Sequence, residues 1–343
     1  MTADFSRQIG QIVSGCEMLH CDVLTNVSMA ERTTYGVGGI AACLVKTSHD
    51  KVHLVAAMLA TFPEIPVLVL GRGSNLLVSD DGFNGVVVVV TGATGADAIA
   101  VDGDLVTAGG GLLMPVLARR SVGAGRGGLE WCVGIPGTVG GAVRMNAGGH
   151  GADMIASLVD ADVVSCRSGE KKTIAAADLG LHFRGSALSP HHVVASVRLS
   201  THMTTQEAGT AEINAIVSWR REHQPGGRNA GSVFVNPGDG DQSAGALIDN
   251  AGLRGFSAGG AQVSDKHANF IQVSDGATSR DVLAVMEHVQ DTVRSVHGVH
   301  LCSEVRLVGF EPDISARFAD VRHASDERQS SMRALAALLG EPS

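Results

Sequence analysis

Glycine, with 44 of 343 residues, constrains this chain more than any other feature, and two clusters of it limit what the chain can fold into. The first follows the apolar residues 66–70 and runs Gly71, Arg72, Gly73, Ser74, Asn75, Leu76. A strand that ends in alternating glycines can turn successive backbone N–H groups inward as an anion nest. Ser74 and Asn75 add side-chain donors, although the same loop also reads as a tight hairpin turn. The second cluster sets Gly134, Gly137, Gly140, Gly141, Gly148 and Gly149 around Ile135, Pro136, Thr138, Arg144, Asn146 and Ala147. Such a run is costly as helix interior and suits backbone laid along a flat or phosphorylated ligand. Two loops of this kind point to a long cofactor with a pyrophosphate, such as a dinucleotide.

A dinucleotide does not require a Rossmann fold here. Gly123, Gly125 and Gly128 match G-x-G-x-x-G literally, but they follow a helical pattern rather than a strand. Gly36 and Gly38 match a looser form behind the polar residues 31–35. Both lack the strand–turn–helix context that gives the motif its mechanism.

Bulk properties exclude several classes. The length predicts two or three packed units. A net charge of -9, with no cluster of Lys and Arg, argues against nucleic-acid binding. The longest apolar runs, such as 86–90, are strand-length and far short of a membrane span. Residues 1–15 show no secretory pattern. Six scattered cysteines without a Cys-x-x-Cys pair fit reduced thiols in a cytoplasmic protein. His297, His300 and Cys302 would point to opposite faces of one strand, which disfavours a metal site. No obligate protein partner is evident.

The pattern along the chain is a polar leader over 1–30, then short strands among glycine turns to about 201, then a changed texture over 202–310. Expected strands include 66–70, 86–90, 105–108 and 158–164, and expected helices 51–61 and 112–121. Helices are also predicted over 212–222 and 281–296, the latter with Ser279 as cap, followed by a strand over 299–308. Residues 311–343 read as a peripheral tail with a helix and no visible chemistry.

At the motif level the chain resembles the UDP-N-acetylenolpyruvoylglucosamine reductase family. The resemblance is carried by 31–39, 71–83, 128–131 and 134–149, and then by Gln224-Pro225, Ala230-Gly231-Ser232, Phe234 and Asn236-Pro237. It continues through 244–255, 259–270 and 303–306. The blocks keep their order from about 30 to 310. The spacing fits the branch lacking an inserted tyrosine loop, and Tyr35 is the only tyrosine.

The resemblance implies an α+β chain: an FAD-binding PCMH domain of the vanillyl-alcohol-oxidase type, made of two subdomains, over 31–201, and an α+β substrate-binding domain over 202–310. It implies non-covalent FAD reduced by NADPH, held by the two glycine loops, and UDP-N-acetylglucosamine enolpyruvate as substrate. Neither FAD loop holds a Cys or His for covalent attachment. The catalytic residues carried over are Ser232 as proton donor, Arg184 as carboxylate partner and Glu304 as polarising or relaying acid. A guanidinium suits a carboxylate because it stays charged and can bind bidentately. Within an expected strand Glu304 shares a face with Cys302, Arg306 and Val308, so it is either paired with Arg306 or working in the site. Substrate contacts are expected from His223, Asn236, Lys266 and Asn269. His223 stands where the family commonly has lysine, and Val235 replaces a frequent basic or polar residue, so positive charge near the nucleotide is reduced.

Two other readings stay open from sequence. One is a different oxidoreductase on the same flavin fold, such as an oxidase of sugars or hydroxy acids. The other is a non-catalytic binding protein derived from the enzyme.

Overall fold

In the computed structural model, residues 3–92, 99–238, 242–319 and 326–342 are described. Valine density sets the first unit. The strand Phe83–Thr91 carries five consecutive valines and is buried along most of its length, as expected of a strand with parallel neighbours and both faces covered. Its parallel neighbours are Ile40–Ser48 and Val67–Val69, and Asp22–Ser28 adds an antiparallel edge beyond Ile40–Ser48. Helices Ala3–Met18 and Val52–Leu59 cover one face of this sheet. The expected leader over 1–30 is therefore corrected: Ile12 and Cys16 are fully buried, and 22–28 belongs to the sheet. Its polar residues are those of an amphipathic helix and an edge strand.

The second unit is an antiparallel sheet in the order Lys171–Ala175, Leu158–Ser165, His192–Ser200, Leu105–Gly109, Ile99–Asp102. Helix Met114–Gly123, with proline in its first turn, packs on it. Helix Gln206–His223 does so too, burying Ile213 and Ile216 in this unit's core. That helix was expected on the substrate side of a boundary at 201. The glycine cluster also departs from expectation, because a short helix, Val139–Met145, runs through Gly140 and Gly141. A Cβ on Gly140 would stand 3.2 Å from the Gly110 carbonyl and 3.3 Å from that of Val194. The close approach of helix to sheet accounts for the glycine there, and the helix is short enough to bear the propensity cost.

The third unit sets helix Ser279–His297 over a small antiparallel sheet of Ser257–Ala258, Ala261–Val263 and Ile271–Val273. Val282, Val285, Met286, Val289 and Val293 face inward, as their spacing predicts, whereas Val296, expected on the same face, is exposed in the last turn. The helix cap is Thr278, in a capping box with Asp281, rather than Ser279. The Ser279 hydroxyl instead accepts from the Asp80 N–H at 2.9 Å, and the Asp80 carboxylate accepts from the N–H groups of Ser279 and Arg280. These bonds tie the third unit to the first. The expected strand over 299–308 is shorter than predicted: only Arg306–Val308 is strand, paired in parallel with Leu76–Val78. Residues 301–305 are irregular because their backbone bonds go elsewhere. Glu304 N–H donates to the Val233 carbonyl at 2.8 Å and Ser303 N–H to that of Phe318 at 2.9 Å. The predicted period-two face from Cys302 to Val308 does not form.

The tail is not peripheral. Helix Asp326–Leu338 packs Leu335, and Leu339 beyond it, fully buried into the second unit's core. Past it, Glu341 Oε1 accepts from Ser165 Oγ at 2.5 Å, His191 Nε2 at 3.0 Å and His192 Nε2 at 2.7 Å. Ser189 N–H donates to His192 Nδ1 at 3.0 Å, which leaves the proton on Nε2 and makes this a hydrogen-bond clamp. Burial would raise the Glu341 carboxyl, but these three donors hold it well below the usual carboxylate range. Among the described residues no helix is long and apolar enough to cross a membrane.

Candidate active site

A cleft of about 610 Å³ follows the seam between the three units. One wall is the first glycine loop. A Cβ on Gly71 would lie 2.3 Å from Thr138 Oγ1, and Gly73 has φ +65 with the Arg32 carbonyl 2.2 Å from where its Cβ would be. Only glycine fits either position. The loop is pinned from below by Thr34 N–H donating to the Gly73 carbonyl at 3.1 Å. Among the described residues, no protein acceptor takes the N–H groups of Gly71, Arg72, Gly73 or Ser74. The Thr34 hydroxyl, also in the cleft wall, is buried with no hydrogen-bond partner. Unclaimed donors beside a long concave cleft fit the diphosphate and flat rings of FAD.

The second glycine segment, in contact with the first, also lines the cleft: Gly134, Ile135, Pro136, Gly137, Thr138, Gly141, Arg144 and Ala147. Thr138 caps the short helix by accepting from Gly141 N–H. Arg144 donates to the Ser189 carbonyl at 2.9 Å, and burial lowers its pKa to about 10. Two expected cofactor residues serve the scaffold instead. Asn146 is left-handed at φ +39 and bonds the His182 carbonyl and the Ile155 N–H, outside the cleft. Asn75 lines the cleft but spends its side-chain N–H on the Glu304 carbonyl at 3.0 Å.

The three expected catalytic residues all line this cleft. Ser232 follows Gly231, whose φ of +76 requires glycine although no atom crowds its Cβ position. The Asn229 side chain fixes that turn by accepting the Gly231 N–H at 3.0 Å. Through the bond from Glu304 N–H to the Val233 carbonyl, the backbone beside Ser232 is held to that of Glu304. Arg184 is left-handed at φ +57, a strained conformation for a long side chain. Its Nε lies 3.2 Å from Glu304 Oε1, and its Nη2 donates to the Gly148 carbonyl. The guanidinium also sits 4.6 Å above the Phe183 ring. Burial pushes the Glu304 carboxyl up to about 7, against the opposing pull of Arg184 and Arg306. About a fifth of its side chain remains open to the site.

The four expected substrate contacts do not line the cleft. His223 stacks on Trp219 at 4.6 Å and bonds the Trp219 carbonyl, facing solvent. Lys266 donates to the Arg221 carbonyl, and Asn236 accepts from Ala244 N–H. Asn269 is buried, and both ends of its amide hold the Phe234 backbone at 2.8 and 2.9 Å. Sequence reasoning missed Thr34, Arg220, Gln224, Asn229 and Arg306 as wall residues. Arg220 Nε donates to Gln224 Oε1 at 2.7 Å, and its place one helical turn before the Gln-Pro block was the available signal.

Behind the Arg184–Glu304 pair lies a second cavity of about 400 Å³. Arg184, Glu304 and Arg306 border both spaces, and the tail contributes Arg328, Gln329 and Met332 to the second.

Comparison with known proteins bears on both halves of this arrangement. Residues 40–175 match the FAD binding domain family, and residues 223–308 match that of the UDP-N-acetylenolpyruvoylglucosamine reductase C-terminal domain. The chain is 41% identical over 286 residues to UDP-N-acetylenolpyruvoylglucosamine reductase of Gloeobacter violaceus, covering 82% of this chain and 95% of that protein. It is 36% identical over 291 residues to the reductase of the same name in Bacillus subtilis, covering 84% and 94%. The crystal structure of UDP-N-acetylenolpyruvylglucosamine reductase from Thermus caldophilus superposes with a TM-score of 0.70 at 34% identity, over 84% of this chain and 98% of that one.

Proposed function

The chain belongs to the UDP-N-acetylenolpyruvoylglucosamine reductase family, and on that premise we propose that it reduces UDP-N-acetylglucosamine enolpyruvate to UDP-N-acetylmuramate through FAD, with NADPH as hydride donor. The observation that carries this reading is that Ser232, Arg184 and Glu304 line one cleft together with both glycine segments.

The Gly71–Ser74 backbone, Thr34 and the segment from Gly134 to Ala147 would hold FAD, which would supply reversible two-electron chemistry. The remaining work falls to the protein's side chains. Hydride addition to one carbon of an enol ether conjugated to a carboxylate leaves enolate-like charge on that carboxylate. Arg184 meets that charge with a guanidinium already fixed by Glu304, Gly148 and Phe183, so little reorganisation is needed as it develops. Ser232 gives its hydroxyl proton to the neighbouring carbon. The Glu304 carboxyl, half protonated near pH 7, supports that transfer and can return a proton to the serine. One NADPH and one proton are consumed for each double bond reduced.

A cytoplasmic location is in keeping with cysteines that remain unbridged, most of them buried. The reading is tested by following NADPH consumption with the authentic nucleotide sugar. Stoichiometric loss of NADPH with formation of the lactyl ether supports it, and NADPH oxidation indifferent to the sugar contradicts it.

A further inference from the structure

We propose that Asn146 and Ser186 are positioning residues for Arg184: they lock the turn that carries it to the end of a helix lining the cofactor cleft. This rests on the reading above, which gives Arg184 the substrate carboxylate. Arg184 occupies the third position of a tight turn closed by two backbone bonds. His182 N–H donates to the Gly185 carbonyl at 3.0 Å, and Gly185 N–H to the His182 carbonyl at 3.1 Å. A positive φ at that position suits glycine or asparagine, yet Arg184 holds +57. Arginine gains nothing locally from that backbone, so the surroundings must hold it there.

Helix Val139–Met145 and the residues just after it supply that hold. At the entry to the turn, Asn146 Nδ2 donates to the His182 carbonyl at 3.1 Å. At its exit, Ser186 Oγ donates to the Arg144 carbonyl at 2.7 Å. The Asn146 amide has a fixed sense, because its Oδ1 accepts from Ile155 N–H at 2.9 Å and so its Nδ2 faces His182. Asn146 is 2% exposed, which shields both bonds from water. The His182 ring packs under the turn: its Nδ1 donates to the Gly180 carbonyl at 2.9 Å, and a Cβ on Gly185 would lie 2.3 Å from its Nε2. From the same segment the Gly148 carbonyl accepts from Arg184 Nη2 at 3.2 Å. Arg144, Ala147 and Gly148 line the cofactor cleft. Backbone and guanidinium of Arg184 are thus both referenced to the piece of chain that lies along the cofactor.

Asn146→Gly keeps the left-handed backbone and deletes the side chain. FAD-loaded enzyme is reduced with dithionite and mixed anaerobically with the nucleotide sugar, well below the melting point of either protein. The limiting rate of flavin reoxidation should fall about ten-fold or more in the variant, with FAD content and reduction by NADPH near wild type. Ser186→Ala should show the same pattern. In an Arg184→Gln background Asn146→Gly should cost nothing further, because the guanidinium it positions is gone. A second readout needs no turnover. Arg184 pulls the Glu304 carboxyl downward, so a loosened turn should let that carboxyl titrate at higher pH in Asn146→Gly. Infrared absorbance of the oxidised, FAD-loaded protein follows it, with Glu304→Gln as the blank. Reoxidation within about two-fold of wild type, losses that multiply with Arg184→Gln, or a parallel loss of FAD would each overturn the assignment. If wild type is not reoxidised by the sugar, the reading of the reaction fails, and the Glu304 titration still decides the positioning role. A higher titration point in Asn146→Gly upholds it, and an unmoved one overturns it.

Discussion

Arg184 Nε stands 3.2 Å from Glu304 Oε1 across the seam of two units, with the Glu304 carboxyl pushed up to about 7 by burial. The pair couples fixed positive charge to an acid that exchanges its proton near neutrality. Removing Glu304 leaves Arg184 partly buried without its ion-pair partner, and removing Arg184 leaves Glu304 only the pull of Arg306.

Reoxidation of reduced flavin by the nucleotide sugar should therefore fall above about pH 7, as Glu304 loses its proton. In Glu304→Gln that alkaline limb should vanish and the rate drop about 100-fold or more. Arg184 pulls the acid downward, so Arg184→Gln should move the limb to higher pH. The same shift has a stability sign. A carboxyl raised on folding is destabilising as pH rises from its ordinary value towards 7, so Glu304→Gln should be relatively more stable at pH 8 than at pH 5. An unchanged pH profile in Glu304→Gln would remove the carboxyl from the proton path.

Ser232→Ala should bleach with NADPH as fast as wild type, because the hydroxyl has no part in loading the flavin. Its reoxidation by the sugar should slow by about 10²–10⁴-fold, the range of a lost proton donor. Rapid-mixing absorbance under anaerobic conditions separates the two steps. Equal slowing of both would assign Ser232 a structural role.

Gly73→Ala tests the cofactor wall. The new methyl would meet the Arg32 carbonyl at 2.2 Å in a backbone conformation that alanine disfavours. The variant should purify with little or no flavin and bind added FAD about ten-fold or more weakly, while its circular dichroism stays that of wild type. Full flavin occupancy would place the cofactor elsewhere.

Glu341→Gln tests the tail clamp. Its carboxylate accepts three side-chain donors and is 9% exposed, so its loss should cost about 2 kcal/mol. A lowered carboxylate contributes stability above its unfolded value that is lost as pH falls below it. His192, held neutral by burial, works in the same direction below its ordinary value. The thermal midpoint of the variant should thus lie several degrees lower at pH 7, with the gap narrowing towards pH 3. Coincident melting curves at pH 7 would show that the clamp contributes nothing.

The parts of the site readable in sequence were those fixed by local chemistry. Gly73 and Gly231 announce left-handed backbone that favours glycine, Gly71 marks a close approach to Thr138, and Ser232 and Arg184 sit in blocks of distinctive composition. What stayed illegible depended on distant contacts. Residues 301–305 alternate like a strand, but their N–H groups are claimed by Val233 and Phe318, so Glu304 reaches the cleft from irregular backbone. Asn236, Lys266 and Asn269 fall in blocks that resemble the family, and their side chains are spent on the backbone of Ala244, Arg221 and Phe234. The tail lacks any motif, and its value comes from Leu335, Leu339 and Glu341 meeting partners more than a hundred residues away in sequence.

The central claim is a flavin that accepts hydride from NADPH and passes it to the enolpyruvyl group, and anaerobic absorbance tests it directly. FAD-loaded protein given one equivalent of NADPH should bleach near 450 nm, and one equivalent of UDP-N-acetylglucosamine enolpyruvate should then restore the colour as UDP-N-acetylmuramate forms. Flavin that stays bleached after the sugar is added, or protein that cannot be loaded with FAD, would contradict the account.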